Sequence, residues 1–136
     1  MDSGVLGLLA GGYEAFNRRD FDRLEAMVAD DFVWNEAAEV PGRKLCNGRA
    51  EFAAYMREFV SAWDDFAWEI LGGEALDDET VIARVRGTGH SHKTGSPVEV
   101  VVHHVWRLRD GKLARMDAFI DGRRARAHAA PEQSGR

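Results

Sequence analysis

The sequence predicts an α+β fold in which three N-terminal helices pack in a curved, mainly antiparallel sheet. Apolar residues recur at helical spacing through roughly the first half of the 136 residues. From about residue 67 onward they alternate with polar residues, as in half-buried strands. The pair Asp110–Gly111 between two of these strands is a strong hairpin signal. Helices followed by an antiparallel meander indicate an α+β plan.

The helical part begins with an amphipathic segment whose apolar residues are Val5, Leu8, Leu9, Tyr13 and Phe16. A turn then leads into a second, short helix over 21–29 and a short strand over 32–36. Residues 37–48 contain proline and glycine and are predicted to form a loop. A third helix is predicted over 49–63. Its apolar stripe consists of Phe52, Tyr55, Met56, Phe59, Val60 and Trp63.

Four further strands are predicted over 67–76, 80–92, 98–109 and 112–120, where β-branched and aromatic residues are frequent. Turn signals at 77–78, 94–97 and 110–111 separate them. The segment after the last strand is predicted to be a frayed helix that ends at Pro131. We therefore expect a single domain over 1–128 and a disordered tail over 129–136.

Composition excludes several classes of function. The formal net charge is −5, and no basic stripe is interleaved with aromatic residues, which argues against nucleic-acid binding. Apolar runs are far shorter than the roughly 18 residues that span a bilayer, so no membrane partner is expected. The N-terminus lacks the basic start of a signal peptide. Because Cys46 is the single cysteine, it offers no intrachain disulfide, and a cytoplasmic location is predicted. Neither a metal site nor a cofactor is predicted.

The adjacent histidines His103 and His104 lie in a predicted strand, so their side chains must point to opposite faces of the sheet. A two-residue turn at 110–111 pairs Arg109 with Lys112 and places His103 opposite Ala118. The longer hairpin at 94–97 then brings Gly87 to the face of His103, and the turn at 77–78 places Trp68 opposite Gly87. A slip of one residue would invert these assignments.

His103 is accordingly predicted to face an open gap between two small residues. This gap is interpreted as a ligand pocket with His103 as its polar anchor. The alternative is a core histidine that is satisfied by a backbone carbonyl or a tyrosine hydroxyl. His104 is predicted to be a paired surface or interface histidine. The valines on its face are predicted to form an association surface, namely Val98, Val100 and Val102.

Glu36 shares a strand face with Phe32 and Trp34 and is predicted to point toward the same pocket. A carboxylate in apolar surroundings is typical of a general base. The alternative is a solvent-exposed salt bridge to Arg43 or Lys44. The predicted substrate-binding residues are Tyr13, Trp34, Tyr55, Phe59, Trp63, Trp68, Val85, Gly87, Val105, Met116, Ala118 and Ile120.

Three segments resemble a known family: YEAFNRRDFDRLEAMVADDFVW, NGRAEFAAYMREF and HHVWRLRDGKLARMDAFID. Together they are similar to the SnoaL-like branch of the nuclear-transport-factor-2-like superfamily, which includes polyketide cyclases and ketosteroid isomerases. The resemblance covers most of the chain, from about residue 6 to residue 124. It implies a cone-shaped α+β barrel, a pocket between the helices and the sheet, and a homodimer through the outer sheet face.

The resemblance also implies roles for individual residues. The catalytic base of ketosteroid isomerases falls on Glu36 and their acidic hydrogen-bond donor falls on His103. Their helix-borne tyrosine falls on Gly12, and the aspartate of the cyclases falls on Ala118, so neither site is reproduced in full. Asp117 and Asp121 lie near Ala118 in the sequence but are predicted to point elsewhere.

Taken together, the sequence predicts a cofactor-free acid/base enzyme acting on a small, apolar, oxygenated molecule. Isomerisation, cyclisation, and addition or loss of water are the reaction types considered. Two alternatives remain open: a non-catalytic domain that binds a small molecule, and a dimeric assembly module.

Overall fold

The chain folds in the predicted order of helices and strands. The computed structural model describes residues 2–39 and 41–130. Its helices are α1 (Asp2–Asn17), α2 (Phe21–Met27), α3 (Arg49–Ser61) and α4 (Gly122–Ala129). Its strands are β1 (Val28–Asn35), β2 (Leu45–Asn47), β3 (Trp63–Asp77), β4 (Thr80–Ser91), β5 (Pro97–Arg109) and β6 (Lys112–Phe119). Of the tail predicted over 129–136, Ala129 is the buried last residue of α4, and positions from 131 onward lie outside the described residues.

Within the described residues, the strands form one six-stranded sheet in the order β2-β1-β6-β5-β4-β3. Strand β1 runs parallel to β6, and the other pairs are antiparallel. The α+β prediction is therefore confirmed. Strand β2 was not predicted, because three residues are too few to show a period of two. Helix α2 ends two residues earlier than predicted, since Val28 already belongs to β1, where it is fully buried and pairs with Leu113.

The main core lies between the inner face of the sheet and helices α1 to α3. Helix α1 contributes Leu9, Tyr13 and Phe16, three of the residues that define its predicted apolar stripe. The central strands contribute, among others, Val81, Ala83, Val85, Trp106 and Met116. Burial of this apolar surface is the main force that holds the helices on the sheet.

Helix α4 covers part of the opposite, outer face. Its Ala125 and Ala129 pack on Val105 and Phe119 in a second, smaller cluster. Nearby, His128 Nε2 lies 3.1 Å from Oδ2 of Asp117, which is fully buried. Helix α4 thus closes over the outer ends of β5 and β6.

Asp117 is stabilised as a carboxylate beneath α4. Burial by itself would raise its pKa, but hydrogen bonds from Arg115, Asn35 and His128, together with the charge of Arg115, lower the pKa below its usual value. Arg115 Nε donates to Oδ2 at 2.9 Å, and Asn35 Nδ2 donates to Oδ1 at 2.9 Å. The side chain of Asp117 therefore lies on the outer face of the sheet and not in the interior, as predicted.

The predicted pairing of β5 with β6 is wrong beyond the turn, and a bulge explains why. Arg109 pairs with Lys112 as predicted, and Leu108 pairs with Leu113. The register then shifts, so that Arg107 pairs with Arg115 and Ala114 is left without a direct partner. One extra residue on one strand reverses the facing of every later pair. In β6 the inward-facing residues change from odd to even numbers at the bulge, so that Leu113, Met116 and Ala118 all lie on the inner face with the even-numbered residues of β5.

Two predicted inward residues of β5 consequently lie on the outer face. Val105 packs under helix α4, and His103 pairs with Arg84 and Phe119 rather than with Gly87 and Ala118. The valines predicted to form an association surface, Val98, Val100 and Val102, line the interior instead. The apolar basis for a homodimer through this face is thus lost, while the homodimer itself remains a prediction.

Gly87 allows two aromatic rings to lie close to the sheet. It pairs with Trp68, as predicted. A Cβ atom at Gly87 would lie 2.5 Å from Cζ of Phe66 and 2.8 Å from Cζ3 of Trp68, which is too close for either ring to stay in place. We expect Gly87→Ala to displace both rings and to lower the free energy of unfolding by about 1–3 kcal/mol.

Urea unfolding of the Gly87→Ala variant tests this expectation. Gly72→Ala on the neighbouring strand is the matched control, because a Cβ there meets nothing within 4 Å. The control is expected to change the free energy of unfolding by less than about 0.5 kcal/mol. Equal effects of the two substitutions would contradict the steric argument.

Candidate active site

A cavity of about 320 Å³ lies between the inner face of the sheet and the helices. This volume is at the lower end of the roughly 300–1,000 Å³ that is typical of small-molecule sites. Its wall is mainly aromatic and aliphatic. The lining residues are Phe16, Trp34, Glu36, Glu39, Arg43, Tyr55, Met56, Phe59, Trp63, Phe66, Trp68, Val98, Val100, Val102, His104, Ala118, Phe119 and Ile120.

His104, and not His103, is the histidine of the cavity. It lies opposite Ala83 on one side and Ala118 on the other, so it has the small neighbours that were predicted for His103. Only 2% of the His104 residue surface is exposed. The prediction of a surface or interface role for His104 is therefore wrong, and the predicted anchoring role passes to it.

One buried hydrogen bond holds the ring of His104, and a second holds Tyr13, its partner. The Tyr13 hydroxyl lies 2.7 Å from its Nδ1, and the same hydroxyl accepts a hydrogen bond of 2.9 Å from Nε1 of Trp106. An indole N–H can only donate, and the hydroxyl has one hydrogen of its own. Among the described residues that hydrogen has no acceptor other than Nδ1, so Tyr13 donates to His104. Nδ1 is thus the unprotonated nitrogen, and Nε2 carries the proton.

A small gap beside Tyr13 does not offer the hydroxyl another partner. The gap has a volume of about 30 Å³, enough for one water molecule, but its walls are almost entirely apolar. A buried water needs two to four polar partners. This supports the assignment of Tyr13 as the donor to His104.

His104 is neutral at physiological pH. Burial lowers its pKa to about 3, and the neighbouring His103 adds a smaller effect in the same direction. Among the described residues Nε2 has no hydrogen-bond partner. Because no buried side-chain nitrogen or oxygen of that part of the chain lacks a partner, Nε2 cannot be fully buried and must reach the cavity. The ring therefore presents an uncharged N–H donor to any ligand.

Glu36 supplies the carboxylate of the cavity. It follows β1 directly, and its Oε2 accepts a hydrogen bond of 2.8 Å from Nε1 of Trp34. The Tyr55 hydroxyl lies 3.1 Å from both carboxylate oxygens. Burial, followed by the charge of Glu36, raises the pKa of Tyr55, so Tyr55 remains a donor. The side chain of Glu36 thus lines the cavity, as predicted.

Trp34 lies between Glu36 and His104. Its indole ring lies 5.6 Å from the ring of His104, in an edge-to-face arrangement, while its N–H is bound to Glu36. The cavity thus presents an acceptor from the end of β1 and a donor from the middle of β5. The wall between them is aromatic.

Glu39 and Arg43 line the cavity but were not predicted to do so. The carboxylate of Glu39 accepts a hydrogen bond of 2.6 Å from the backbone N–H of Ile120 and is 3.8 Å from Arg124. It fastens the loop after β1 to the end of β6. Loop residues of this kind carry no periodic signal, so their placement could not be read from the sequence.

Seven of the predicted substrate-binding residues line the cavity: Trp34, Tyr55, Phe59, Trp63, Trp68, Ala118 and Ile120. Four others face the interior without lining it: Tyr13 behind His104, Val85 and Met116 in the packed core, and Gly87 beneath two aromatic rings. Val105 lies on the outer face. The phenols predicted as ligand donors are both engaged within the protein, Tyr13 with His104 and Tyr55 with Glu36.

Comparison with known proteins identifies the fold. The sequence profile of the SnoaL-like domain matches residues 10–116. No curated protein matches the sequence significantly.

In the part of the chain that the structure describes, no helix has the length and apolarity needed to cross a membrane.

Solved structures with the same fold include SalBIII, an epoxide hydrolase/cyclase-like enzyme of salinomycin formation. It has a TM-score of 0.75 and 20% identity, over 87% of this chain and 91% of that chain. A candidate polyketide cyclase from Xanthomonas campestris pv. campestris has a TM-score of 0.71 and 23% identity, over 92% and 96%. A protein of ketosteroid isomerase-like fold from Catenulispora acidiphila has a TM-score of 0.73 and 13% identity, over 90% and 91%. Identities this low show the fold alone. Because the family profile covers most of the sequence, the chain belongs to the SnoaL-like domain family.

Proposed function

We propose that the protein is an enzyme that removes a proton from a carbon next to a carbonyl group in a small, largely apolar molecule. Glu36 acts as the general base, and His104 binds the carbonyl oxygen. The observation that carries this proposal is the pairing, in one apolar cavity, of a carboxylate with a neutral imidazole that presents Nε2–H. Among the reactions that begin with this step are isomerisation, cyclisation and loss of water.

Glu36 and His104 are sufficient for the proton transfer. A carboxylate oxygen of Glu36 takes the proton, and the electrons of the C–H bond form the carbon–carbon double bond of an enolate. The carbonyl oxygen becomes negative and is stabilised by the hydrogen bond from Nε2 of His104. In a β,γ-unsaturated ketone the enolate is a dienolate, and Glu36 returns the proton to its γ-carbon, which gives the conjugated isomer. Where the molecule has a second carbonyl group, the enolate carbon attacks that carbonyl carbon, and the resulting alkoxide takes the proton from Glu36, which gives a ring.

The surroundings of Glu36 suit this role. Trp34 and Tyr55 donate hydrogen bonds to the carboxylate, but its two oxygens offer about four acceptor positions, so capacity remains for a proton. These donors also fix the direction in which the carboxylate points. A base that is held in place reacts faster, because it loses less orientational freedom on reaching the transition state.

The solved relatives support the class of ligand. SalBIII is named for pyran ring formation in a polyether, and TerC, a structure with 16% identity, was crystallised with polyporic acid. Both names involve oxygenated ring compounds. We therefore place the ligand of this protein among small oxygenated carbon skeletons with a carbonyl group.

β-Tetralone, a bicyclic ketone with acidic C–H bonds, is a suitable probe. We expect the protein to bind it and to accelerate the replacement of its α-hydrogens by deuterium in D₂O, measured by proton NMR against a buffer blank. Tryptophan fluorescence reports binding, since Trp34, Trp63 and Trp68 line the cavity. Binding without exchange would favour the non-catalytic binding domain. Absence of both would overturn the proposal.

A further inference from the structure

The four indole N–H groups of the chain fall into two pairs. Trp34 and Trp106 donate to Glu36 and Tyr13, at 2.8 and 2.9 Å. Trp63 and Trp68 have no acceptor for Nε1 among the described residues. Because no buried side-chain nitrogen or oxygen of the described part lacks a partner, these two N–H groups must reach the cavity or solvent.

The six-membered-ring edge of Trp68, and not its N–H, lies against the sheet. A Cβ atom at Gly87 would lie 2.8 Å from Cζ3 and 3.1 Å from Cε3 of Trp68, so this edge of the indole rests on β4. Nε1 belongs to the opposite edge of the ring. Trp68 also lines the cavity, and its Nε1 takes no part in the contact with β4.

Trp68 is also a neighbour of His104. The two ring centres are 5.2 Å apart, and the planes are nearly perpendicular. Trp63, by contrast, packs on Phe59 and Phe66, at 6.4 Å from each. Both tryptophans line the cavity, but only Trp68 is in ring contact with the histidine.

We propose that the indole N–H of Trp68 donates a second hydrogen bond to the ligand oxygen that His104 binds. This inference rests on the proposed function, since it concerns the same oxygen. A carbonyl oxygen has two lone pairs, and an oxygen that gains negative charge is stabilised most by two fixed donors. Two donors at one oxygen require a ligand whose oxygen can accept two hydrogen bonds. A ketone meets this requirement.

The test compares Trp68→Phe with Trp63→Phe, which removes an equivalent N–H from the same cavity. Infrared spectroscopy of bound, carbonyl-labelled β-tetralone measures hydrogen bonding to the oxygen directly. Both donors should lower the carbonyl frequency, and Trp68→Phe should reverse part of this shift while Trp63→Phe leaves it unchanged. In exchange assays we expect Trp68→Phe to lower kcat about 10- to 100-fold with little change in KM.

The indole N–H signals in a nitrogen–proton NMR spectrum give a second readout. Addition of β-tetralone should shift the Trp68 signal more than the Trp63 signal. An unchanged carbonyl frequency in Trp68→Phe, or a response of Trp63 in its place, would overturn the assignment. If the frequency shift is present but no exchange occurs, the catalytic proposal fails and the donor pair stands. If β-tetralone does not bind at all, both proposals fail.

Discussion

Replacing Glu36 with glutamine is expected to slow proton exchange in β-tetralone by about 10²–10⁴-fold, the range that a positioned general base contributes. Glutamine has nearly the same size, and its amide oxygen can still accept from Trp34 and Tyr55, so the local structure should persist. The ketone should still bind, because the cavity wall and the N–H of His104 are unchanged. Rates come from proton NMR, and dissociation constants from tryptophan fluorescence.

Glu39→Gln is the matched control for this substitution. Glu39 also lines the cavity with a carboxylate side chain, but that carboxylate accepts hydrogen bonds from the backbone N–H groups of Ile120 and Asp121. An amide oxygen preserves the hydrogen bond from Ile120. We expect Glu39→Gln to retain exchange within about threefold. Comparable losses in the two variants would mean that negative charge in the cavity matters, rather than a base at Glu36.

Much of the fold could be predicted because several signals agreed. The helical stripe of α1 and the alternation along the strands both follow from burial of one face. The pairing of Trp68 with Gly87 was also correct, although bulges interrupt β3 and β4 on either side of it. The bulge at Ala114 could not be foreseen, because alanine is an ordinary strand residue and does not mark a bulge as glycine does. Counting pairs from the hairpin turn therefore placed His103 on the wrong face.

A better signal for the histidines was present within β5 itself. Its even-numbered residues are Val98, Val100, Val102, His104, Trp106 and Leu108, an almost continuous apolar series. Its odd-numbered residues include Glu99, Arg107 and Arg109. Alternation within one strand does not depend on a distant register, so it would have directed His104 inward. Glu36 was placed correctly for this same reason, since it continues the alternation of Phe32 and Trp34.

The contact between Tyr13 and His104 was beyond prediction from the sequence. It joins residues 91 positions apart, and it depends on the side-chain geometry of a helix against a sheet. The resemblance to ketosteroid isomerases placed the family tyrosine on Gly12, which leaves no phenol at that position. In the structure, the adjacent Tyr13 supplies a phenol, but it holds the histidine and does not itself line the cavity.

Mild acid is expected to destabilise the folded protein through His104. Its pKa falls from 6.5 to about 3 on folding, chiefly because of burial. Below pH 6.5 the unfolded chain therefore binds a proton that the folded protein does not, so the free energy of unfolding decreases as the pH falls. Between pH 6.5 and about pH 5 the expected loss is on the order of 1.5 kcal/mol. Urea unfolding at a series of pH values measures it.

His104→Gln and His103→Gln separate this effect from that of other groups. Carboxylates with lowered pKa values, such as Asp117, also reduce stability in acid, but their unfolded forms bind protons only near pH 4. The window above pH 5 is thus dominated by histidine. Removal of His104 should flatten the pH dependence there, whatever it does to stability at pH 7. His103 is only partly buried, so its removal should change the slope much less. Equal slopes in wild type and His104→Gln would show that the imidazole takes up a proton as readily in the folded state as in the unfolded chain. That result would contradict a neutral donor in the cavity.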